Sequence, residues 1–199
     1  MKLHHAAASP YVRKVMACAI ARGLAGRIET IATNPHVSPP ELLVDNPLSK
    51  VPALVTDDGT AIYDSPVICE YLDTLGDAAP LFPPTGSTAR LHAQIMHATA
   101  DGILDAAVAR RLNMPHPQDD GRRAFDARQK AAVDRALDVL EKAPPKGLSD
   151  IGAIAVGCAL GYLDFRFGHE PWRATHPALA AWYAAVSPLA PLSETAPTG

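Results

Sequence analysis

The segment that most constrains the fold is Asn46–Pro66, which has the residue pattern of a β-hairpin followed by a helix. Two short runs, residues 53–55 and residues 60–63, contain the apolar residues of paired strands. Between them, Asp58-Gly59 favours the positive φ values that a two-residue hairpin turn requires. We therefore predict two antiparallel strands joined by a tight turn.

The end of this segment, Asp64-Ser65-Pro66, predicts a helix N-terminus. Serine is a preferred N-cap residue and proline is common at the first helical position, so Ser65 should cap the helix and Pro66 should begin it. An acid and a hydroxyl beside a helix N-terminus could hold a small anionic or zwitterionic ligand. An ordinary capped helix after a hairpin is the alternative interpretation.

The residues before the hairpin predict a strand–helix–strand unit and then a short helical turn. Residues 1–5 and 27–32 have strand patterns, and Ser9-Pro10 has the residue types of a helix start before apolar residues at helical spacing. Residues 41–44 predict one helical turn. With the hairpin and the helix after it, the order is βαβαββα, which is typical of a thioredoxin-like domain with a parallel first strand pair and an antiparallel hairpin.

After residue 65 the sequence has no strand pattern and predicts helices only. Residues 77–87 contain several prolines and a glycine and predict a linker, so we expect an α+β domain at 1–76 and an all-α helical bundle at 88–199. Leu91 and Ile95 are among the residues expected on the buried face of the first bundle helix. The predicted helices of the bundle are residues 88–112, 121–142, 150–167 and 176–187.

The composition is that of a globular protein and does not indicate membrane or nucleic-acid binding. The chain is 48% hydrophobic and 20% charged, with a net charge of −3, and it lacks both a long apolar run and a secretory signal pattern. A mildly acidic balance gives no support for nucleic-acid binding, and the eight histidines lack metal-ligand spacing. Cys18, Cys69 and Cys158 lie far apart in apolar helical patterns, which predicts reduced core residues of a cytoplasmic protein.

Several motifs, in this order and at this spacing, make the chain resemble the bacterial cytosolic glutathione S-transferases. The resemblance covers nearly the whole chain. It implies an α+β thioredoxin-like N-terminal domain followed by an all-α helical-bundle C-terminal domain, in agreement with the pattern above. The motifs are SPYVRKV (Ser9–Val15), NPLSKVPAL (Asn46–Leu54), Tyr63-Asp64-Ser65-Pro66, ADGILDA (Ala100–Ala106), IAVGCALGYLDFRF (Ile154–Phe167) and HPALAAWY (His176–Tyr183).

The resemblance implies that the hairpin segment binds glutathione at both of its ends. Pro52 resembles the family's cis-proline, which lets the backbone of Val51 pair with the cysteinyl unit of the peptide. Asp64 and Ser65 match the acid and the serine that hold the ammonium and carboxylate groups of the γ-glutamyl end. The alternatives are a plain strand start at Val51-Pro52 and an unliganded acid at Asp64.

Two further residues are candidates for glutathione binding. Lys50 precedes Val51 and could meet the glycyl carboxylate; a solvated surface lysine is the alternative. Asn34 lies in the loop after the second strand, near where some relatives place a ligand contact.

Ser9 is the candidate catalytic residue, because conjugation requires the glutathione thiolate and not the thiol. A hydrogen bond from its hydroxyl and the positive end of the first helix would stabilise that anion. A plain N-cap is the alternative, and the two roles are compatible. Many relatives have cysteine before this proline; serine here, with no Cys-x-x-Cys motif, argues against a thiol oxidoreductase. The segment before Ser9 is His4-His5-Ala6-Ala7-Ala8, where relatives usually carry tyrosine or hydroxyl residues, so a second hydroxyl for the thiolate is absent.

The sequence therefore predicts a cytoplasmic glutathione transferase that uses glutathione as co-substrate, binds no metal and conjugates glutathione to a small electrophile. The resemblance also implies a homodimer. Two alternatives stay open: a glutathione-dependent isomerase, since serine-type relatives include maleylacetoacetate isomerase, and a non-catalytic glutathione-binding protein. The alanines beside Ser9 argue against the isomerase, and the presence of Val51, Asp64 and Ser65 together favours glutathione binding.

Overall fold

The computed structural model describes residues 1–198 and divides them into two compact units. The first unit comprises Met1–Pro83 together with residues 189–198, and the second comprises Pro84–Pro188. This division differs from the predicted boundaries, because part of the predicted linker at 77–87 and the last residues of the chain pack with the first unit.

Side-chain hydrogen bonds explain why these two segments belong to the first unit. The carboxylate of Asp73 accepts hydrogen bonds from the backbone N–H groups of Leu81, at 2.7 Å, and Phe82, at 3.1 Å. Near the C-terminus, Nη2 of Arg13 donates to the carbonyl oxygen of Leu192 at 3.0 Å, and Leu192 is buried. The second unit therefore ends at Pro188, and residues 189–198 pack with the first unit.

The first unit contains a four-stranded mixed sheet with the strand order β2-β1-β3-β4, in which only the β1–β2 pair is parallel. The strands are β1 (Lys2–His5), β2 (Glu29–Ala32), β3 (Ala53–Val55) and β4 (Ala61–Ile62). The helices of this unit are α1 (Pro10–Ala21), α2 (Pro40–Asp45), α3 (Ser65–Leu75) and, from the end of the chain, α9 (Ala190–Ser193). The predicted βαβαββα order and thioredoxin-like domain are confirmed.

The loop between β3 and β4 is longer than the predicted two-residue turn. The N–H of Gly59 donates to the carbonyl of Thr56 at 3.1 Å, and the N–H of Thr56 donates to the carbonyl of Thr60 at 2.9 Å. Within this loop only Gly59, with φ of 86°, has a positive φ value. The longer loop is favoured because the side chains of Thr56 and Asp58 accept hydrogen bonds from the N–H of Thr60, at 3.0 and 3.1 Å.

The two predicted helix starts of this unit have different outcomes. Ser9 is the N-cap of α1 as predicted, and its Oγ accepts a hydrogen bond from the N–H of Val12 at 3.3 Å. By contrast, α3 begins one residue earlier than predicted, with Asp64 as N-cap and Ser65 as the first helical residue. The carbonyl of Asp64 accepts the first helical hydrogen bond, from Ile68 at 3.0 Å, so Ser65 is already inside the helix.

The core of the first unit lies between α1 and α3 and includes two cysteines. Cys18 on α1 donates a hydrogen bond from its thiol to the carbonyl of Cys69 on α3, at 3.7 Å. A hydrogen bond with Cys69 and burial raise the pKa of the Cys18 thiol well above its ordinary value. Cys18, Cys69 and Cys158 are all buried, and none of them forms a disulfide bond within the described residues, in agreement with the predicted reduced core cysteines.

The second unit contains only helices among its described residues, which confirms the predicted all-α C-terminal domain. Its helices are α4 (Thr88–Asn113), α5 (Asp120–Lys142), α6 (Ile151–Phe167), α7 (Trp172–Thr175) and α8 (Pro177–Val186). Helix α6 is buried over its first thirteen residues, Ile151–Leu163, and Asp150 caps it by accepting from the N–H of Ala153 at 2.9 Å. No helix in residues 1–198 is both long and apolar enough to cross a membrane.

The buried face of α4 differs from the prediction. Leu91 and Ile95 are 56% and 55% exposed, whereas Ala93 and Ala100 are buried. Helix α6 approaches α4 at Gly152, where an added Cβ atom would lie only 2.7 Å from the carbonyl oxygen of Ala93. This close approach needs small side chains, so Ala93 faces inward in this part of α4 and Leu91 and Ile95 face outward. Ile103 and Leu104, further along the same helix, are buried.

Candidate functional site

The predicted site residues lie next to strand ends at one edge of the sheet. Because β1 and β2 are parallel and β3 is antiparallel to them, the ends of β1 and β2 lie at the same edge as the start of β3. β4 is antiparallel to β3 and therefore also ends there. The register pairs His4 with Ala53, and Leu54 with Ile62, so the residues just beyond these pairs converge.

The structure thus brings together all seven residues that the sequence indicated. They occupy the loops that follow β1, β2 and β4 and the segment that precedes β3. Helices α1 and α3 both begin at this edge, so two sets of unpaired backbone N–H groups lie near it. The residues are Ser9 after β1, Asn34 after β2, Lys50, Val51 and Pro52 before β3, and Asp64 and Ser65 after β4.

Ser9 keeps a hydrogen-bond donor for a ligand even though it caps α1. Its Oγ accepts from the N–H of Val12, and a hydroxyl also has one donor hydrogen, which is not used by that bond. The side chain is half-buried at the positive end of the helix. His5 at the end of β1 is also half-buried, and burial lowers its pKa from the ordinary value of 6.5. His5 therefore adds little positive charge beside Ser9 at neutral pH.

The segment before β3 presents backbone groups suited to an added peptide. The Val51-Pro52 peptide bond is cis, as the resemblance implied. Val51 is 9% exposed, and its backbone N–H and C=O make no hydrogen bond to any residue of the described chain. Buried backbone groups are nearly always paired, so Val51 has the capacity to pair with an extended ligand.

The junction between β4 and α3 combines an exposed acid with a buried hydroxyl. Asp64 is exposed and Ser65 is 2% exposed, and in the described part of the chain neither side chain makes a hydrogen bond. The peptide bond between Tyr63 and Asp64 is cis. Ser65 stands at the start of α3, where the N–H groups have no partner within the helix and favour an anion. The adjacent carboxylate of Asp64 suits a cation.

Asn34 and Lys50 lie at the same sheet edge, Asn34 after β2 and Lys50 before β3, on two loops that a hydrogen bond between Ser38 and Ser49 joins. Asn34 is exposed, and its Oδ1 accepts from the N–H of His36 at 3.1 Å, so its amide nitrogen is left for other partners. Lys50 is exposed and makes no ion pair with any described residue. Both the ligand-binding and the solvated interpretations of Lys50 therefore agree with its geometry.

Asn46 is a residue of this site that sequence reasoning missed. It is 1% exposed, its Nδ2 donates to the carbonyl of Lys50 at 2.8 Å, and its Oδ1 accepts from the N–H of Leu48 at 3.0 Å. Asn46 therefore fixes the loop that leads to Val51. The signal in the sequence was an asparagine followed by proline, which favours a local side-chain turn; Asn34 has the same pattern and forms the same kind of turn.

Within residues 1–198, no three His, Cys, Asp or Glu side chains are grouped so that they could hold a metal ion.

Comparison with known proteins identifies the family of this chain. The family model for the glutathione S-transferase N-terminal domain matches residues 8–75, and the model for the C-terminal domain matches residues 105–185. The uncharacterized GST-like protein YibF of Escherichia coli K12 is 33% identical over 184 residues, which are 90% of this chain and 90% of that protein. The chain belongs to the glutathione S-transferase family.

Solved structures similar to this chain include complexes with glutathione. A family member from Pseudomonas fluorescens Pf-5 with bound glutathione is 38% identical, with a TM-score of 0.89, over 100% of this chain and 99% of that chain. A glutathione S-transferase from Methylobacillus flagellatus KT with GSH bound is 35% identical, with a TM-score of 0.88, over 99% of each chain. The Pseudomonas protein has also been solved with S-(propanoic acid)-glutathione. These similarities confirm the family and the fold.

Proposed function

We propose that this glutathione S-transferase binds glutathione at the described sheet edge and conjugates its sulfur to a small electrophile. The observation that carries the proposal is the convergence of two helix N-termini, an acid and an unpaired backbone segment at one edge. Glutathione is an extended peptide with two carboxylates and one ammonium group, so each of its groups has a chemical complement there. The glutathione complexes of two similar proteins support the same assignment.

In the proposed complex, each part of glutathione has one partner. The backbone of Val51 pairs with the cysteinyl unit, as a strand would. Asp64 binds the γ-glutamyl ammonium, and Ser65 with the α3 N-terminus binds the γ-glutamyl carboxylate. Lys50 and Asn34 lie at the glycyl end.

The chemistry that we propose depends on Ser9. Its hydroxyl donates a hydrogen bond to the glutathione sulfur, and the positive end of α1 further stabilises the thiolate. The thiol proton is lost to water, the sulfur forms a bond to the electrophilic carbon, and the leaving group departs with its bonding electrons. The alanines at positions 6–8 provide no second side-chain donor to the sulfur.

We also propose that the protein is a homodimer, as its family membership implies. Val67 on α3 is 50% exposed, and Leu91 and Ile95 on α4 are both more than half exposed, so each of these side chains is available to be covered in a dimer. Sedimentation equilibrium would give twice the 21.0 kDa chain mass if the protein is a dimer.

Calorimetric titration with glutathione tests the binding site, with Asp64→Asn as the informative variant. This variant keeps the size of the side chain and removes the charge that pairs with the ammonium, so glutathione should bind roughly tenfold to a hundredfold more weakly. Asp77→Asn is the matched control: Asp77 is exposed beyond the far end of α3, a helix of 11 residues and therefore about 16 Å long.

The same proteins would then be assayed for conjugation of a generic aryl halide. Failure of the wild type to bind glutathione would refute the whole proposal. Binding without turnover would reduce the function to glutathione binding alone. Equal affinities in both variants and the wild type would remove Asp64 from the site.

A further inference from the structure

His4 connects the bases of two loops at the candidate site. It lies in β1, is only 2% exposed, and has a hydrogen-bond partner for each ring nitrogen. Nδ1 lies 2.9 Å from Oγ1 of Thr33, and Nε2 lies 2.8 Å from Oδ2 of Asp45. Thr33 and Asp45 directly precede Asn34 and Asn46, the first residues of the two loops. One buried ring therefore holds the starting points of both loops.

The two loops, residues 34–38 and residues 46–50, are also joined to each other. Oγ of Ser49 lies 2.8 Å from Oγ of Ser38 and donates to the carbonyl of Pro35 at 3.2 Å. Ser38 and Ser49 have φ values of 47° and 51°, in the left-handed region that serine rarely adopts. Such conformations persist only where the surrounding contacts hold them, so the paired loops depend on their anchors.

The connection from His4 continues to the residues proposed to meet the ligand. Asp45 is followed by Asn46, whose side chain donates to the carbonyl of Lys50. Lys50 is followed by Val51. On the other side, Thr33 is followed by Asn34. A displacement of Thr33 or Asp45 would therefore move Asn34 and Lys50 relative to each other, while Asp64 and Ser65 follow a different strand.

We propose that His4 is a positioning residue that sets the separation of the two loops and thereby the recognition of the glycine unit of glutathione. The proposal rests on the proposed function, in which Asn34 and Lys50 lie at the glycyl end. His4 touches no part of the ligand and acts through Thr33 and Asp45.

The test compares glutathione with γ-glutamylcysteine, which lacks the glycine. Calorimetric affinities for both peptides would be measured for the wild type and for His4→Leu, which fills similar space without polar atoms. We expect His4→Leu to bind glutathione roughly tenfold more weakly and γ-glutamylcysteine almost as well as the wild type does. The preference for the tripeptide should therefore be lost, which a general loss of stability would not produce.

Three further variants keep the test decisive. Thr33→Val retains the shape of the side chain and removes one of the two partners, so the preference should fall by a smaller factor. His4→Gln retains an amide that can bond to Asp45 and should recover part of the preference. Leu3→Val is the matched control, because Leu3 is a fully buried neighbour on β1 that contacts neither loop through hydrogen bonds; it should leave the preference unchanged.

The outcomes separate the two proposals. If the wild type binds neither peptide, the proposed function itself fails. If the wild type binds both peptides equally, or if His4→Leu weakens both by the same factor, the role of His4 is refuted. If His4→Leu does not fold, an unchanged preference in Thr33→Val refutes it equally well.

Discussion

Replacing Ser9 with alanine should remove two interactions that can be measured separately. The first is the N-cap, in which Oγ accepts from the N–H of Val12 at 3.3 Å. Loss of a serine N-cap typically costs about 1 kcal/mol of folding free energy. For a chain of this size that corresponds to a fall of roughly 2–4 °C in the melting temperature.

The second interaction is the proposed hydrogen bond from the Ser9 hydroxyl to the glutathione thiolate. A hydrogen bond to a charged group contributes about 1.5–3 kcal/mol. One pKa unit corresponds to about 1.4 kcal/mol, so the pKa of the bound glutathione thiol should rise by roughly 1–2 units in Ser9→Ala. The ultraviolet absorbance of the thiolate, followed against pH in the bound complex, measures this pKa directly. The pH profile of kcat/KM for the electrophile, measured at saturating glutathione, should shift in the same direction.

Two control variants separate the cap from the chemistry. Ser9→Gly should cost only a few tenths of a kcal/mol, because glycine is tolerated at an N-cap, yet it should raise the thiol pKa as much as alanine does. Ser87→Ala removes the N-cap of α4, where Oγ accepts from the N–H of Arg90 at 3.1 Å, so it should lower stability without affecting the thiol. A Ser9→Ala protein with reduced stability and an unaltered thiol pKa would show that Ser9 is an N-cap only.

Two further predictions concern stability. Gly152→Ala should destabilise the protein by about 1–3 kcal/mol, because the new Cβ would lie 2.7 Å from the carbonyl oxygen of Ala93. Gly102→Ala lies in an open position of α4 and should instead stabilise the protein by up to about 1 kcal/mol. In urea denaturation, the two variants should change the free energy of unfolding in opposite directions. A change in the same direction would contradict the close contact at Gly152. Burial lowers the pKa of His5 below 6.5, so the folded state binds fewer protons than the unfolded state and stability should fall as the pH drops below 6.5. His5→Gln should lose less stability over that range, and parallel losses in the two proteins would exclude His5 as the cause.

Local features of the fold were predictable because they depend on neighbours in the sequence. Ser9-Pro10 and Asp150 begin helices as predicted, since a capping side chain bonds to a backbone group only three residues later. The helix predicted at residues 150–167 is observed at Ile151–Phe167. The N-cap of α3 was predicted at Ser65 and lies at Asp64. Because the side chain of Asp64 makes no capping hydrogen bond, the backbone conformation and not the residue type sets this helix start.

Features that depend on how elements approach one another were not predictable in this way. Leu91 and Ile95 have helical spacing suited to a core, but the close contact at Gly152 turns Ala93 inward in this part of α4 instead. The return of the C-terminal residues to the first unit depends on a hydrogen bond between Arg13 and Leu192, which are 179 residues apart.

The same distinction between local and long-range features applies to the candidate site. The residues with suitable chemistry could be identified from the Ser9-Pro10, Val51-Pro52 and Asp64-Ser65 pairs and their resemblance to a known family. Their meeting at one sheet edge is visible only in the folded chain, as is the contact of His4 with Thr33 and Asp45 across separations of 29 and 41 residues. These contacts join residues that are far apart in the chain, so the local residue patterns that predict helices and strands do not specify them.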